Sequence, residues 1–225
     1  MKLTISDTAK LLAIPDATIK RWIHQGKIPV IEKRHEYFFI KKDIEKWALN
    51  HNIFLHTHFK KNISENPQAE YSLLNAMEQG GIFFHVHGDS VADVLKKAVS
   101  LSPLPFDVDK DLLLDMLLQR EKLASTGIGS GIAIPHPRYP IGNLADGAII
   151  TTCFTENKID FKAIDGAPVF VVFLILSPST DIHLKFLSKL SYCLRDNSFI
   201  SLLKQHTEPK YLFNKVEKIE KSFDG

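Results

Sequence analysis

An α/β protein carrying a small, mainly helical head is what this sequence predicts, and three observations predict it. From Tyr71 onward helical and strand-like patterns alternate, among them an unbroken apolar run, "VFVVFLIL" (169–176), which reads as a buried strand. Residues 1–50 instead read as short helices in quick succession around one β-like pair. Charge divides in the same region: residues 1–61 hold twelve Lys and Arg against six Asp and Glu, so a basic module adjoins an acidic one in a chain of net charge +2. Mixed strands alternating with helices imply a mixed central sheet flanked by helices. With 225 residues there is room for two domains, expected at 1–50 and 71–225. Residues 51–70 between them lack periodicity, hold Asn, Ser and Pro, and read as a linker.

Composition bounds the class. A hydrophobic fraction of 44% and a charged fraction of 24% suit an ordinary globular core. The longest apolar run falls well short of the ~18 residues a membrane span needs, and "MKLTISDTAK" has no apolar segment of a signal peptide. Cys153 and Cys193 sit in apolar company without metal-ligand spacing, as small buried hydrophobes in a reducing cytoplasm would. His51, His56 and His58 lack the Cys or carboxylate partners that would complete a metal site. No metal, cofactor or membrane partner is expected.

In the head, Ser6 is expected to cap a helix through "DTAKLL", which Ala13-Ile14-Pro15 breaks. Asp16 then caps "ATIKRWIHQ", which Gly26 ends. On that second helix Ile19, Trp22 and Ile23 form one stripe, and Ala17, Lys20, Arg21 and His24 face away from it. "PVIE" and "EYFFI" pair around Lys33-Arg34-His35, and the helix "DIEKWAL" closes the unit.

The larger module opens with a helix, "YSLLNAMEQG", and a strand, "GIFFHVHG", on which His85 and His87 alternate as a surface pair at a strand edge. Ser90 caps "SVADVLKKAVSLS", with Val91, Val94, Leu95 and Ala98 on one face, and Asp109 opens "KDLLLDMLLQREKLAS". Strands follow at "GIAIPH", "GAIITTCFT" and "PVFVVFLILS". A helix, "DIHLKFLSKLSYCLRD", carries Leu184, Leu187, Leu190 and Leu194 at helical spacing, and two short helices end the chain.

"LTISDTAKLLAIPDATIKRWIHQGKIPV" and "IKKDIEKW" make the head resemble the excisionase-like and MerR-like winged helix-turn-helix DNA-binding family, with Arg21-Trp22 followed by Gly26-Lys27-Ile28-Pro29 matching its helix exit. That resemblance implies DNA as a partner, contacted by Ala17, Lys20, Arg21, His24, Lys27, Lys33 and Arg34. The wing departs from the family, since no glycine fills its turn and Glu32 and Glu36 flank the basic tip. The plainer alternative is a solvated helix face on a protein-interaction unit.

"LLLDMLLQREKLASTGIGSGIAIPHPR", continued by "VFVVFLILSPSTDIHLKFLSKLS", resembles the fructose/mannitol-type IIA proteins of the bacterial phosphotransferase system, and among them the nitrogen-regulatory IIA proteins. The resemblance implies that His136 is the phosphorylated histidine, served by an HPr-like or nitrogen-branch phosphocarrier. It places His183 at the second, assisting histidine and Arg120 at the arginine that holds the phosphoryl group. The chemistry agrees: a neutral imidazole is a competent acceptor near pH 7, and a loose, highly charged transition state rewards a guanidinium fork. Gly127, Gly129 and Gly131 are expected to turn backbone N–H groups toward the anion, with a hydroxyl donor added by Ser125 or Thr126. Pro135 and Pro137 restrict the backbone on either side of His136.

Joined, the two resemblances imply a regulatory phosphoryl acceptor with a DNA-binding head, transcriptional or nitrogen/carbon-regulatory in role. The alternatives are a transport-type IIA enzyme that passes phosphate from His136 to the cysteine of a sugar-specific IIB component, or regulation of a kinase or channel by protein contact alone.

Overall fold

The structure, a computed structural model, describes residues 2–12, 16–33, 36–50, 72–106, 108–141, 144 and 147–223. Two compact units divide the chain, Met1–Lys60 and Lys61–Gly225.

In the first unit β1 (Lys2–Leu3) leads into α1 (Ile5–Leu11). The expected cap, Ser6, lies inside this helix, and Thr4 caps it instead. The reason is Asp7: the Asp7 N–H donates to Thr4 Oγ1 at 3.1 Å while the Thr4 N–H donates to Asp7 Oδ2 at 3.0 Å, a reciprocal capping box. The second helix, α2 (Asp16–His24), stops at Gly26, whose φ of +62° glycine tolerates. There the Lys27 N–H reaches the Trp22 carbonyl at 2.9 Å and the Gly26 N–H reaches that of Ile23 at 3.0 Å, closing the helix end. β2 (Ile31–Lys33) and β3 (Glu36–Ile40) pair antiparallel, and α3 (Lys41–Asn50) follows. The β1 strand, absent from the sequence reading, joins the free side of β3 to give the order β1-β3-β2. Leu3, Leu12, Ile19, Phe39 and Ile44 form the core, with Trp22 and Trp47 packed at its margin, ring centroids 5.3 Å apart.

The second unit runs α4 (Leu73–Gly80), β4 (Ile82–Val86), α5 (Val91–Leu101), α6 (Lys110–Leu123), β5 (Gly127–Gly129), β6 (Ile132–Ala133), β7 (Ile149–Ile159), β8 (Val169–Leu176), α7 (Thr180–Cys193), α8 (Asn197–Lys204) and α9 (Pro209–Phe223). Five strands form one mixed sheet in the order β4-β7-β8-β6-β5. β4 runs parallel to β7 and β6 parallel to β8, while the β7–β8 and β5–β6 pairs are antiparallel. Central β8 is covered on both faces, which is why its sequence is apolar without alternation. Val171, Phe173 and Ile175 enter a core with residues of α4, α7, α8 and α9, whereas Val172, Leu174 and Leu176 enter a second core with α5 and α6. The result is a three-layer sandwich. Gly80 permits the close approach of α4 to the sheet, since a Cβ there would stand 2.2 Å from the Ile150 carbonyl.

Ser90 and Asp109 cap α5 and α6. On α7 three of the four leucines, Leu187, Leu190 and Leu194, pack on the core beside Ile182, Phe186 and Cys193, and Leu184 is the exception at 58% exposed. Leu184 stands two residues, about 200° of helix rotation, from Ile182, so docking the latter turns the former outward. Alternation also fails at His85, whose φ is +53° where the β4–β7 register shifts between Phe83 and Val86. Both histidines are exposed, and His87 pairs through Nδ1 with the Glu156 carboxylate.

Candidate active site

The sheet topology sets two histidines side by side. β6 and β8 are parallel neighbours, so their carboxyl ends open at the same edge, a common place for sites in α/β sheets. His136 lies three residues beyond β6, and His183 lies in the helix that follows β8. Hydrogen bonds fix the backbone leading to His136. The Ile134 N–H donates to the Thr126 carbonyl at 2.9 Å, and the Pro135 carbonyl accepts from the Ile175 N–H of β8 at 2.9 Å. Ser179 caps α7 through its hydroxyl, which accepts from the Ile182 N–H at 3.3 Å, and its carbonyl accepts from the His183 N–H at 3.0 Å. The two imidazole centroids come to 4.7 Å with the rings tilted by 45°.

One contact determines what the His136 ring can do. Its Nδ1 lies 2.8 Å from the Ile134 carbonyl oxygen. A carbonyl only accepts, so in the neutral ring Nδ1 carries the hydrogen and Nε2 keeps a free lone pair. Burial of the half-exposed ring holds its pKa below the ordinary histidine range. The Arg120 charge lowers it further, against upward pulls from the Ile134 hydrogen bond and Glu121. His183 is pushed down to about 4, by burial first and then by His136 and Arg120. Both rings are therefore uncharged at neutral pH. Arg120, in the last turn of α6, supplies a positive charge that both rings feel, and its Nη1 donates to the Ala124 carbonyl at 2.8 Å. A nucleophilic nitrogen, a neutral neighbour and a guanidinium together suit the capture of a tetrahedral anion.

The glycine run has a different use from the expected one. Ser130 and Gly131, with φ of +55° and +79°, make the tight turn of the β5–β6 hairpin. The donors of Ser125, Thr126 and Gly127 expected to face an anion are engaged inside the protein. The Thr126 N–H and hydroxyl both go to the Glu121 carboxylate, the hydroxyl at 2.6 Å. The Gly127 N–H donates to Ser125 Oγ at 2.9 Å, and the Ser125 hydroxyl donates to the Phe161 carbonyl. Against Gly129 lies the Asp165 carboxylate, which also accepts the Ser130 N–H at 2.7 Å. Ser125, Thr126 and Gly127 thus brace the hairpin, with Glu121 taking the donors of Thr126, Ser125 bridging from Gly127 to the Phe161 carbonyl, and Asp165 lying against Gly129. Glu121 was visible in the sequence only as the second half of an Arg-Glu pair.

In the first unit Ala17, Lys20, Arg21, His24, Lys27 and Lys33 are all exposed, the first four along α2. Arg34 lies outside the described residues, as do His51, His56 and His58. Among the described residues no group of three His, Cys, Asp or Glu side chains could hold a metal ion, and no helix is long and apolar enough to cross a membrane. Cys153 and Cys193 are buried, and burial is the main cause pushing both thiols up to about 12, so neither is a nucleophile near neutral pH.

Residues 76–219 match the family model of the phosphoenolpyruvate-dependent sugar phosphotransferase system, EIIA 2, and residues 3–52 match a helix-turn-helix domain. The chain is 36% identical over 103 residues to a nitrogen regulatory protein of Bradyrhizobium diazoefficiens, covering 44% of this chain and 65% of that one. It is 30% identical over 150 residues to a nitrogen regulatory protein of Klebsiella oxytoca, covering 66% of this chain and 91% of the relative. Among solved structures, the nitrogen regulatory protein IIA-Ntr of Neisseria meningitidis is similar with a TM-score of 0.56 and 27% identity, over 64% of this chain and 98% of that one.

Proposed function

This chain belongs to the EIIA 2 family of the phosphoenolpyruvate-dependent sugar phosphotransferase system, and from that membership we propose that it is a regulatory phosphoryl acceptor whose acceptor atom is His136 Nε2. The observation that carries the proposal is the 2.8 Å contact from His136 Nδ1 to the Ile134 carbonyl, which leaves Nε2 as the nucleophile. The donor is the phosphohistidine of an HPr-like or nitrogen-branch phosphocarrier. The Nε2 lone pair forms the new N–P bond as the donor's N–P bond breaks, and that bond's electron pair returns to the donor's imidazole. His136 keeps its Nδ1 hydrogen throughout. Arg120 neutralises charge on the phosphoryl oxygens, and His183, uncharged, supports the transferring group from the neighbouring ring.

The regulatory reading draws on the relatives that bear the name nitrogen regulatory protein and on the helix-turn-helix match over residues 3–52. We assign residues 1–50 to a DNA-binding head, 51–70 to a linker and 71–225 to the phosphoryl-accepting domain. In the head α2 enters the major groove, and Lys20, Arg21, His24, Lys27, Lys33 and Arg34 contact phosphates and base edges, with Ala17 packed close to them. A phosphoryl group on His136 adds close to two negative charges and so reports flux through the phosphotransferase system. The test is incubation with enzyme I, the phosphocarrier and labelled phosphoenolpyruvate. Label is expected on the wild type and absent from His136→Ala. Equal label on both proteins overturns the assignment, and onward passage to a cysteine of a IIB component favours transport over regulation.

A further inference from the structure

We propose that Glu121 is a positioning residue for His136, acting through Thr126 and Ile134; this rests on the reading of His136 as the acceptor. Four links are continuous. The Glu121 carboxylate accepts the Thr126 N–H at 3.0 and 3.1 Å and the Thr126 hydroxyl at 2.6 Å. The Thr126 carbonyl accepts the Ile134 N–H at 2.9 Å. The Ile134 carbonyl then takes the hydrogen of His136 Nδ1 at 2.8 Å. The two peptide planes that meet at Thr126 are each held, one by Glu121 through the N–H and the other by the Ile134 N–H through the carbonyl, which restrains φ and ψ there. Ile134 is held in turn between that bond and the Pro135 carbonyl's bond to Ile175, which fixes the acceptor that selects the ring's tautomer.

The anchor is well placed for this purpose. Glu121 sits in α6 beside Arg120, so the same helical turn that brings the guanidinium to the two histidines also carries the carboxylate that holds the hairpin. Thr126 is buried, and both its donors end on Glu121, so no solvent group shares in holding it. The hairpin also carries Ile132 and Ala133, which pair with β8, so the anchored strand runs straight into His136. Thr126 and Glu121 therefore set the direction of a lone pair without touching the phosphoryl group.

The test uses the full chain with four variants: Glu121→Ala, Glu121→Gln, Thr126→Val and Thr126→Ser. Nitrogen NMR of the His136 ring reports which nitrogen bears hydrogen, and single-turnover phosphorylation by the phosphocarrier reports the rate. Glu121→Ala and Thr126→Val are expected to move His136 toward a mixture of tautomers and to slow the chemical step roughly 10- to 100-fold, with phosphocarrier affinity unchanged. Glu121→Gln and Thr126→Ser retain an acceptor and two donors respectively, and are expected to restore the wild-type ring signature. An unaltered tautomer and rate in Glu121→Ala, even with a lowered melting temperature, would show that the carboxylate merely braces the hairpin and overturns the proposal. Should Glu121→Ala fail to fold, the Thr126→Val and Thr126→Ser pair decides by the same criteria. If the wild type takes no phosphoryl group, the acceptor reading falls, and the ring signature alone then decides the positioning role.

Discussion

Acidification perturbs His183 in a way that can be worked from its surroundings. The ring is half-buried, and burial, His136 and Arg120 together push its pKa down to about 4. In an unfolded chain the same side chain titrates near an ordinary ~6.5. At pH 5.5 about 3% of folded molecules then carry a charged His183, against about 90% of unfolded ones. The unfolded state binds more protons across this window, so stability falls as pH falls. The contribution is fully present above about pH 6.5 and is lost as pH drops through about 4. At about 1.36 kcal/mol per pKa unit the full difference is about 3 kcal/mol, and partial exposure of the ring reduces it to about 2 kcal/mol. Urea unfolding of the wild type and His183→Gln between pH 4 and 7 measures it. The variant is expected to lose about 2 kcal/mol less than the wild type across that range, and proton NMR should show His183 titrating near the bottom of it. A His183 resonance titrating near pH 6.5, with parallel stability curves, would refute the reasoning.

Other consequences concern the scaffold and the head. Gly131→Ala places a Cβ 2.5 Å from the Phe170 ring at a φ of +79°, and chemical denaturation should show a loss of about 1–3 kcal/mol. Glu220 on α9 accepts from Lys189 Nζ at 2.9 Å and from the Leu73 and Leu74 N–H groups at the start of α4. Glu220→Ala should therefore cost about 3–5 kcal/mol in the same assay, because it removes a buried ion pair and a helix cap together. In the head, Lys20→Ala and Arg21→Ala should each weaken DNA binding and lower the slope of log affinity against log salt by about 1, read by fluorescence anisotropy at several salt concentrations. A slope near zero for the wild type would remove DNA from the account.

Much of this architecture was legible where one physical signal dominated. The uninterrupted run from Val169 to Leu176 read as a buried strand and is one, covered on both faces, and Ser90 and Asp109 announced two helices by their short polar side chains. Weak or competing signals misled. Ser6 and Thr4 are both good caps, and only the reciprocal bond with Asp7 decides between them. The β1 strand has two residues and exists because β3 offers it an edge. Leucine spacing on α7 grouped Leu184 with Leu187, Leu190 and Leu194, yet docking of Ile182 and Phe186, whose partners are distant in sequence, turns Leu184 outward. At the site, His136, His183 and Arg120 were picked out by the family resemblance, since a single histidine or arginine carries no such meaning alone. What could not be read was the destination of each hydrogen. Pairing of His136 with a carbonyl two residues back, and capture of the Thr126 donors by Glu121, depend on loop geometry that no spacing encodes.

The central claim is that His136 accepts a phosphoryl group at Nε2 while Nδ1 stays bonded to the Ile134 carbonyl. Phosphorus–nitrogen correlation NMR of the phosphorylated, nitrogen-labelled protein tests it most directly. The expected spectrum shows phosphorus coupled to His136 Nε2, with Nδ1 still carrying its hydrogen. Coupling to Nδ1, or to any residue other than His136, would contradict it.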